Sequence, residues 1–260
     1  MAGHPFTSAL VTGASSGIGE VLARRLLAAG VPTVVVARRE DRLQALADEF
    51  DGAEILVADL LTMTGQRAVV ARIADDDRPI ELVVNNAGFG TNGAFHELDA
   101  DRLADEIELN VAALTRLSNA ALAAMVPRGR GWLLNVSSVA SFQPAPKLAV
   151  YAATKAYVTS LTESLHEEAK PYGVHVTALC PGLTKTEFQS VSNTEQYADD
   201  FPGIAWTSPD QVVDEGLKAV VANHALAVPG AQYKLMAAAV NVTPRWLRRR
   251  ASSLVQRSES

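Results

Sequence analysis

Several side chains in this sequence could together bind a small molecule and move a proton. In YAATK, Tyr151 and Lys155 stand four apart, which on a helix puts a phenol and an ammonium on one face. That spacing alone is common. Upstream, the apolar run LLNVSS delivers Ser137 and Ser138 to the carboxyl end of a strand, where ligands bind in open α/β sheets. Asn110 interrupts an apolar stripe through Leu103, Ile107, Val111, Leu114 and Leu117. A carboxamide there needs an internal partner, whether structural or functional. His4, His96, His166, His175 and His224 lack metal-ligand spacing, so no metal site is expected. Cys180 reads as a small buried residue rather than a nucleophile.

A second group of residues suits a phosphate ligand. The first strand runs into TGASSGIG, residues 12–19, and then a helix. Gly13 permits a tight turn, Gly17 lets backbone approach a pyrophosphate, and Gly19 lets the helix pack closely on the strand. The N–H groups and dipole at that helix start favour an anion. The glycines alone would also suit a bare βα turn; their place between the first strand and first helix favours binding. In such a fold the second strand ends beside the adenosine ribose, where an acid marks a free 2′-hydroxyl and an arginine a 2′-phosphate. Arg38 follows Gly19 by 19 positions, and neither Ala37 nor Arg39 is acidic. Hydrogen bonds to a charged group contribute about 1.5–3 kcal/mol, on the order of tenfold to a hundredfold in affinity. Ser15 and Ser16 add hydroxyl donors. The expected cofactor is NADP(H), with solvated surface charge as the other reading of Arg38 and Arg39.

The elements that must position these groups are legible as an alternation. The runs SALVTG, TVVVAR, AEILVAD, ELVVNNAG, GWLLNVSS, VHVTALCPG and ALAVPG are near-continuously apolar, as strands of a parallel sheet covered on both faces are. Helical patterns at 20–29, 41–50, 101–125 and 151–170 lie between them. This alternation implies right-handed βαβ crossovers. The expected fold is a single α/β, doubly wound, Rossmann-like domain over residues 1–260, with a parallel sheet of about seven strands. Ser208, Pro209 and Gln211 carry helix-start spacing. Residues 187–207 lack a clear period and mix polar groups with Phe188, Val191, Tyr197, Phe201, Ile204 and Trp206. A loop that long is expected to act as a lid over an apolar substrate. Residues 233–260 form a C-terminal tail whose Arg245, Arg248, Arg249 and Arg250 accompany Trp246, Leu247, Leu254 and Val255. It reads as a solvated helix, with an anionic membrane surface, an acidic substrate or a subunit interface as other partners.

Composition excludes some classes. Hydrophobic residues make up 48% of 260, enough for a core, and the net charge of −6 opposes general nucleic-acid binding. A lone cysteine points to a reducing compartment. No uninterrupted apolar run approaches the ~20 residues of a membrane span. The start MAGHPFTSAL lacks a secretory pattern. A cytoplasmic location is the expectation.

Taken together, TGASSGIG, NNAG at 85–88, Asn110, Ser138, Tyr151, Lys155 and PG at 181–182 resemble the short-chain dehydrogenase/reductase family across roughly residues 7–230. The 13-residue separation of Ser138 from Tyr151 matches the family and selects Ser138 over Ser137. The resemblance implies that Tyr151 protonates the nascent alkoxide, Ser138 holds the carbonyl oxygen, Lys155 binds the nicotinamide ribose and lowers the tyrosine pKa, and Asn110 holds a relay water. Bringing a phenol from ~10 to about 7 takes ~4 kcal/mol. An ammonium about 4 Å away at an effective dielectric of ~20 supplies that much. The resemblance further implies cofactor contacts at Ile18, Asp59, Leu60, Asn86, Ala87, Gly88, Pro181, Gly182, Thr184 and Thr186, and a homodimer or homotetramer. The implied activity is NADP(H)-dependent interconversion of a carbonyl and a secondary alcohol on a medium to large apolar small molecule. The alternative is a non-catalytic NADP(H) sensor.

Overall fold

Strands form where the apolar runs predict them. They are β1 Ala9–Thr12, β2 Thr33–Ala37, β3 Ala53–Val57, β4 Leu82–Asn85, β5 Gly131–Val136, β6 Val174–Leu179 and the short β7 Leu226–Ala227. The computed structural model describes residues 4–193 and 203–244. The seven strands make one sheet in the order β3-β2-β1-β4-β5-β6-β7, parallel at each pairing. β1, β2, β4 and β5 are buried throughout because apolar clusters cover both faces. Leu22, Leu26, Leu43 and Val213 pack on one side, and Val69, Ile73, Leu117 and Met125 on the other. β3 lies at an edge and is half-buried.

The order reverses beside β1, whose neighbours β2 and β4 lead to opposite edges. The loops after β1 and β4 therefore diverge and leave a crevice at the carboxyl edge, where doubly wound sheets bind ligands. Thr12 closes the floor of that crevice. Its hydroxyl donates to Val84 O at 3.3 Å and accepts from the Asn86 and Ala87 N–H groups at 3.0 and 3.1 Å. Deeper, Asn85 Nδ2 donates to Asn135 Oδ1 at 2.9 Å, and Asn135 Nδ2 to Thr162 Oγ1 at 3.0 Å. That polar chain ties the ends of β4 and β5 to the helix Ala149–Ala169.

Helices α1 Gly17–Ala28, α2 Glu40–Glu49 and α6 Ala149–Ala169 agree with the sequence pattern to within the usual fraying of ends, and α3 Met63–Ile73 adds a helix that the pattern did not mark. The segment expected at 101–125 differs. It is α4 Ala100–Ile107, a π turn Glu108–Ala113, and α5 Leu114–Arg128 in one continuous run. The wider π turn takes in an extra residue and so rotates the preceding face. Ile107, expected in the stripe, is 48% exposed, while Glu106 and Asn110 are buried. The 29-residue run Ala100–Arg128 is long and apolar enough to cross a membrane by composition, yet Leu117, Ala121 and Met125 pack into the core beside the sheet.

Ser208 caps the helix Pro209–Val221 as its type predicts, accepting from Gln211 N at 3.2 Å. The Gln211 side chain turns forward to Glu215 instead, so only half of a capping box forms. Of the expected lid, residues 187–193 and 203–207 are described; Tyr197 and Phe201 lie outside the described residues, as do tail residues 245–260. The helix Ala231–Val242 opens the tail.

Thr12→Val should leave two loop N–H groups unpaired at about 1–3 kcal/mol each. At ~2–4 °C per kcal/mol for a chain of this class, calorimetry should show a melting temperature several degrees below the parent.

Candidate active site

Four loops meet at the carboxyl edge. The glycine turn leaves β1 with Gly13 and Gly17 at φ 67° and 59°, a left-handed conformation that side chains resist. A methyl at Gly13 would stand 2.8 Å from Asn86 Nδ2 and one at Gly17 3.2 Å from Thr186 Cβ; one at Gly19 would collide with Gly13 O. The turn is therefore a close-fitted cradle under the loops after β4 and β6. Asn86, expected at the ribose side, turns inward: its Nδ2 donates to Thr12 O at 2.9 Å and Gly13 O at 3.4 Å. Ser16 is the cap residue of α1, Ile18 packs on the core, and Ala87 packs against the opposite cluster. Asp59 is half-buried, with one carboxylate oxygen accepting from Leu61 N at 3.0 Å, and Leu60 is buried.

The two arginines part company. Arg38 is exposed. Arg39 folds back over the turn, its Nη2 donating to Ser15 O at 3.1 Å and its Nε to Ser15 Oγ at 3.2 Å. Its Nη1 pairs with Glu187 at 3.0 Å. The guanidinium thus joins the glycine turn to the first lid residue.

On α6, Tyr151 and Lys155 share a face as the spacing requires. The Ser138 hydroxyl lies beside the Tyr151 phenol, and Ser138 Oγ accepts from Ala140 N at 3.1 Å. Ser137 points elsewhere, donating to Lys155 O at 2.9 Å. Lys155 is buried, with Nζ donating to Val136 O at 2.9 Å and lying 5.7 Å from the Tyr151 ring centre. Asn110 Nδ2 donates to Phe89 O at 2.8 Å and Thr154 Oγ1 at 3.1 Å, while its Oδ1 accepts from Phe89 N at 3.2 Å. A methyl at Gly88 would stand 2.7 Å from Asn110 Oδ1 and 3.5 Å from Lys155 Nζ. Gly88 is thus the gap through which these two residues approach.

The loop after β6 completes the enclosure. Pro181 O accepts from Val139 N at 3.0 Å. A side chain at Gly182 would occupy the Tyr233 ring, whose hydroxyl accepts from Leu183 N at 3.0 Å and donates to Ala205 O at 2.6 Å. Thr184 is buried and bridges Thr207; Thr186 Oγ1 accepts from Phe188 N at 3.2 Å. The lid start then lies over the site. Phe188 packs on Tyr151 with ring centres 5.4 Å apart, Ser192 Oγ accepts from Gly90 N at 3.0 Å, and Arg102 donates to Val191 O at 2.7 Å. Tyr233 and Thr154 were not legible as site residues, because their partners come from remote segments, whereas Phe188 and Ser192 fall in the segment expected as a lid.

The electrostatics depart from the expected activation of Tyr151. Burial pushes its phenol up to about 12, only partly offset by Ser138, with the Glu106 carboxylate adding to the rise. Burial also lowers Lys155 to about 8. Lys155 Nζ donates to Val136 O and lies 5.7 Å from the ring centre, and at Tyr151 burial is the larger effect. In the chain alone, burial favours the protonated phenol. Burial likewise raises the Cys180 thiol to about 11, which fits an inert core residue. His166 and His175 bind the carbonyls of Val176 and Val220, and no cluster of metal-ligating side chains occurs among the described residues.

Comparison with known proteins places this geometry. The family profile described as short chain dehydrogenase matches residues 7–197. The NADP-dependent 3-hydroxy acid dehydrogenase of Salmonella typhi is 37% identical over 187 residues, covering 70% of this chain and 75% of that protein. Among solved structures, a short-chain dehydrogenase from Sphingobium yanoikuyae in complex with NADPH is 34% identical with a TM-score of 0.81, over 89% of this chain and 92% of that one. The bulky-bulky ketone specific alcohol dehydrogenase from Comamonas testosteroni is 29% identical with a TM-score of 0.77, over 98% and 94%.

A Tyr151 phenol held near 12 predicts a simple spectroscopic result. The phenolate difference spectrum between the parent and Tyr151→Phe, taken without ligands, should stay flat from neutral pH to about pH 10, the ordinary tyrosine midpoint. A phenolate appearing at neutral pH would contradict this reading.

Proposed function

The chain belongs to the short-chain dehydrogenase family, and on that premise we propose that it is an NADP(H)-dependent oxidoreductase that interconverts a carbonyl and a secondary alcohol. The observation that carries the reading is the Tyr151 phenol set beside Ser138, with buried Lys155 5.7 Å from its ring centre, at the crevice edge of the sheet. A protein that only sensed the dinucleotide would have no use for that pair.

The residues present fit the cofactor. The glycine cradle has no room for side chains, and its helix start presents N–H groups to a pyrophosphate. Arg39 is already fixed over Ser15, and Arg38 stands exposed beside it. Together they offer two guanidinium groups to a 2′-phosphate, a bidentate partner that suits arginine. Asp59 would meet the adenine, Gly88 and Ala87 the adjoining ribose, and Pro181, Gly182, Thr184 and Thr186 the nicotinamide side. When bound, the cofactor supplies hydride to the carbonyl carbon.

The chain's own residues do the rest. Ser138 Oγ and the Tyr151 hydroxyl fix the substrate oxygen between them. As charge develops on that oxygen, the phenol gives up its proton, and the product is an alcohol. A donor near 12 holds its proton until an alkoxide forms, so the chain alone is set for reduction. Lys155 lies behind the phenol to offset the phenolate that forms, and Asn110, held open by Phe89 and the π turn, would keep a water for proton return. Phe188 covers Tyr151 and excludes bulk solvent. The apolar ring of Phe188 over Tyr151 suits a medium to large apolar ketone, and relatives named for bulky ketones and 3-hydroxy acids support that class.

Tyr151→Phe should lower ketone reduction by roughly 10²–10⁴-fold, the scale of general acid catalysis, with NADPH binding retained by fluorescence titration. Arg38→Ala and Arg39→Ala should each weaken NADPH by about tenfold or more while leaving NADH nearly unchanged. Equal losses for both cofactors would refute the 2′-phosphate assignment.

A further inference from the structure

Arg39 meets the glycine turn with its hydrogen-bonding fork already divided. The Nε–Nη2 edge lies on Ser15, with Nη2 donating to the carbonyl at 3.1 Å and both nitrogens to Oγ at 3.2 Å. Nη1, the corner left over, donates to Glu187 Oε2 at 3.0 Å. Among the described residues that is the one ion pair of either side chain. Glu187 is itself braced. Its carbonyl accepts from Ser190 Oγ at 2.8 Å and from Val191 N at 3.1 Å, at the start of the short helix Phe188–Val191. Gln189 ties the preceding loop together, accepting from Thr186 N at 3.1 Å and donating to Thr184 O at 2.8 Å. Thr186 stands over Gly17, where an added methyl would lie 3.2 Å from its Cβ. The backbone that carries Glu187 is therefore fixed above the glycine turn, and its carboxylate stays within reach of Nη1.

A phosphate binds arginine best through two parallel N–H···O bonds along one edge of the guanidinium. With the Nε–Nη2 edge on Ser15, the edge left for a 2′-phosphate is Nη1–Nη2, and Glu187 holds its Nη1 corner. We propose that Glu187 is a specificity-determining residue: its carboxylate competes with the 2′-phosphate for Arg39 and so tempers the preference for NADP(H) over NAD(H). The role rests on the NADP(H) reading above. When the phosphate binds, an Arg39–carboxylate bond is exchanged for an Arg39–phosphate bond, and two like charges are brought close. NAD(H) has a free hydroxyl at that position, requires no exchange and leaves the ion pair intact. Arg38, exposed and not paired with Glu187, meets no such competitor. The Arg39 and Glu187 side chains are 42% and 44% exposed, so the pair contributes little to the fold, and salt screens the competition.

The test is a double-mutant cycle on the full chain, read by fluorescence titration of NADPH and NADH at low and high salt. Glu187→Gln keeps the shape and removes the charge. At low salt it should tighten NADPH by about two- to fivefold, the scale of an exposed ion pair, and leave NADH unchanged. At high salt the gain should shrink. In the Arg39→Ala background the gain should largely vanish, whereas in the Arg38→Ala background it should persist. A melting temperature close to the parent's shows that the fold is retained. If Glu187→Gln weakens NADPH, the carboxylate is a prop for Arg39 and not a competitor, which would overturn the proposal. NADPH affinity left unchanged, or both cofactors tightened alike, would overturn it equally. If Arg38→Ala and Arg39→Ala weaken NADPH no more than NADH, the 2′-phosphate reading itself falls and takes this role with it.

Discussion

Keeping an ammonium charged in a dry place is the constraint from which the site follows. Lys155 is almost wholly buried, and desolvation of that kind favours the neutral amine. Two features answer it. Val136 gives a backbone carbonyl from the end of β5, and Gly88 leaves room for close approach. The ammonium therefore stands there only when the sheet, the loop after β4 and α6 are all in place.

The phenol obeys the same physics with the opposite sign. Burial disfavours its anion, so Tyr151 stays protonated, and the one hydroxyl within reach, Ser138, orients it. In the proposed reaction, a protonated phenol beside a charged lysine would be an acid with its stabilising charge already in position. This preorganisation is where electrostatic catalysis gains most, because little has to rearrange as charge develops. Phe188 covers the ring, with ring centres 5.4 Å apart.

Much of this was legible in the residues, and the reasons for the rest are physical. Apolar runs gave away the strands because a parallel sheet is covered on both faces. The glycine turn and the Tyr151–Lys155 spacing are local patterns, and local geometry suffices to place them. The π turn is not local. Asn110 pairs both ways with the Phe89 backbone, 21 residues away, and a regular 3.6-residue period over Leu103, Ile107 and Val111 put Ile107 inside where the structure buries Glu106. Arg39 rather than Arg38 reaches the glycine turn because α2 begins just after it and redirects its side chain. Tyr233 was invisible for a similar reason: what marks it is the absent side chain of Gly182, 51 positions earlier by number and adjacent in space.

The central claim is that Tyr151 and Ser138 hold the reacting oxygen between them. A crystal structure with NADP and a bound ketone or alcohol tests it most directly. The account predicts the substrate oxygen within about 2.6–3.2 Å of both hydroxyls, with Phe188 closed over the ring. A substrate oxygen bound away from the phenol, with Phe188 still wedged between them, would contradict it.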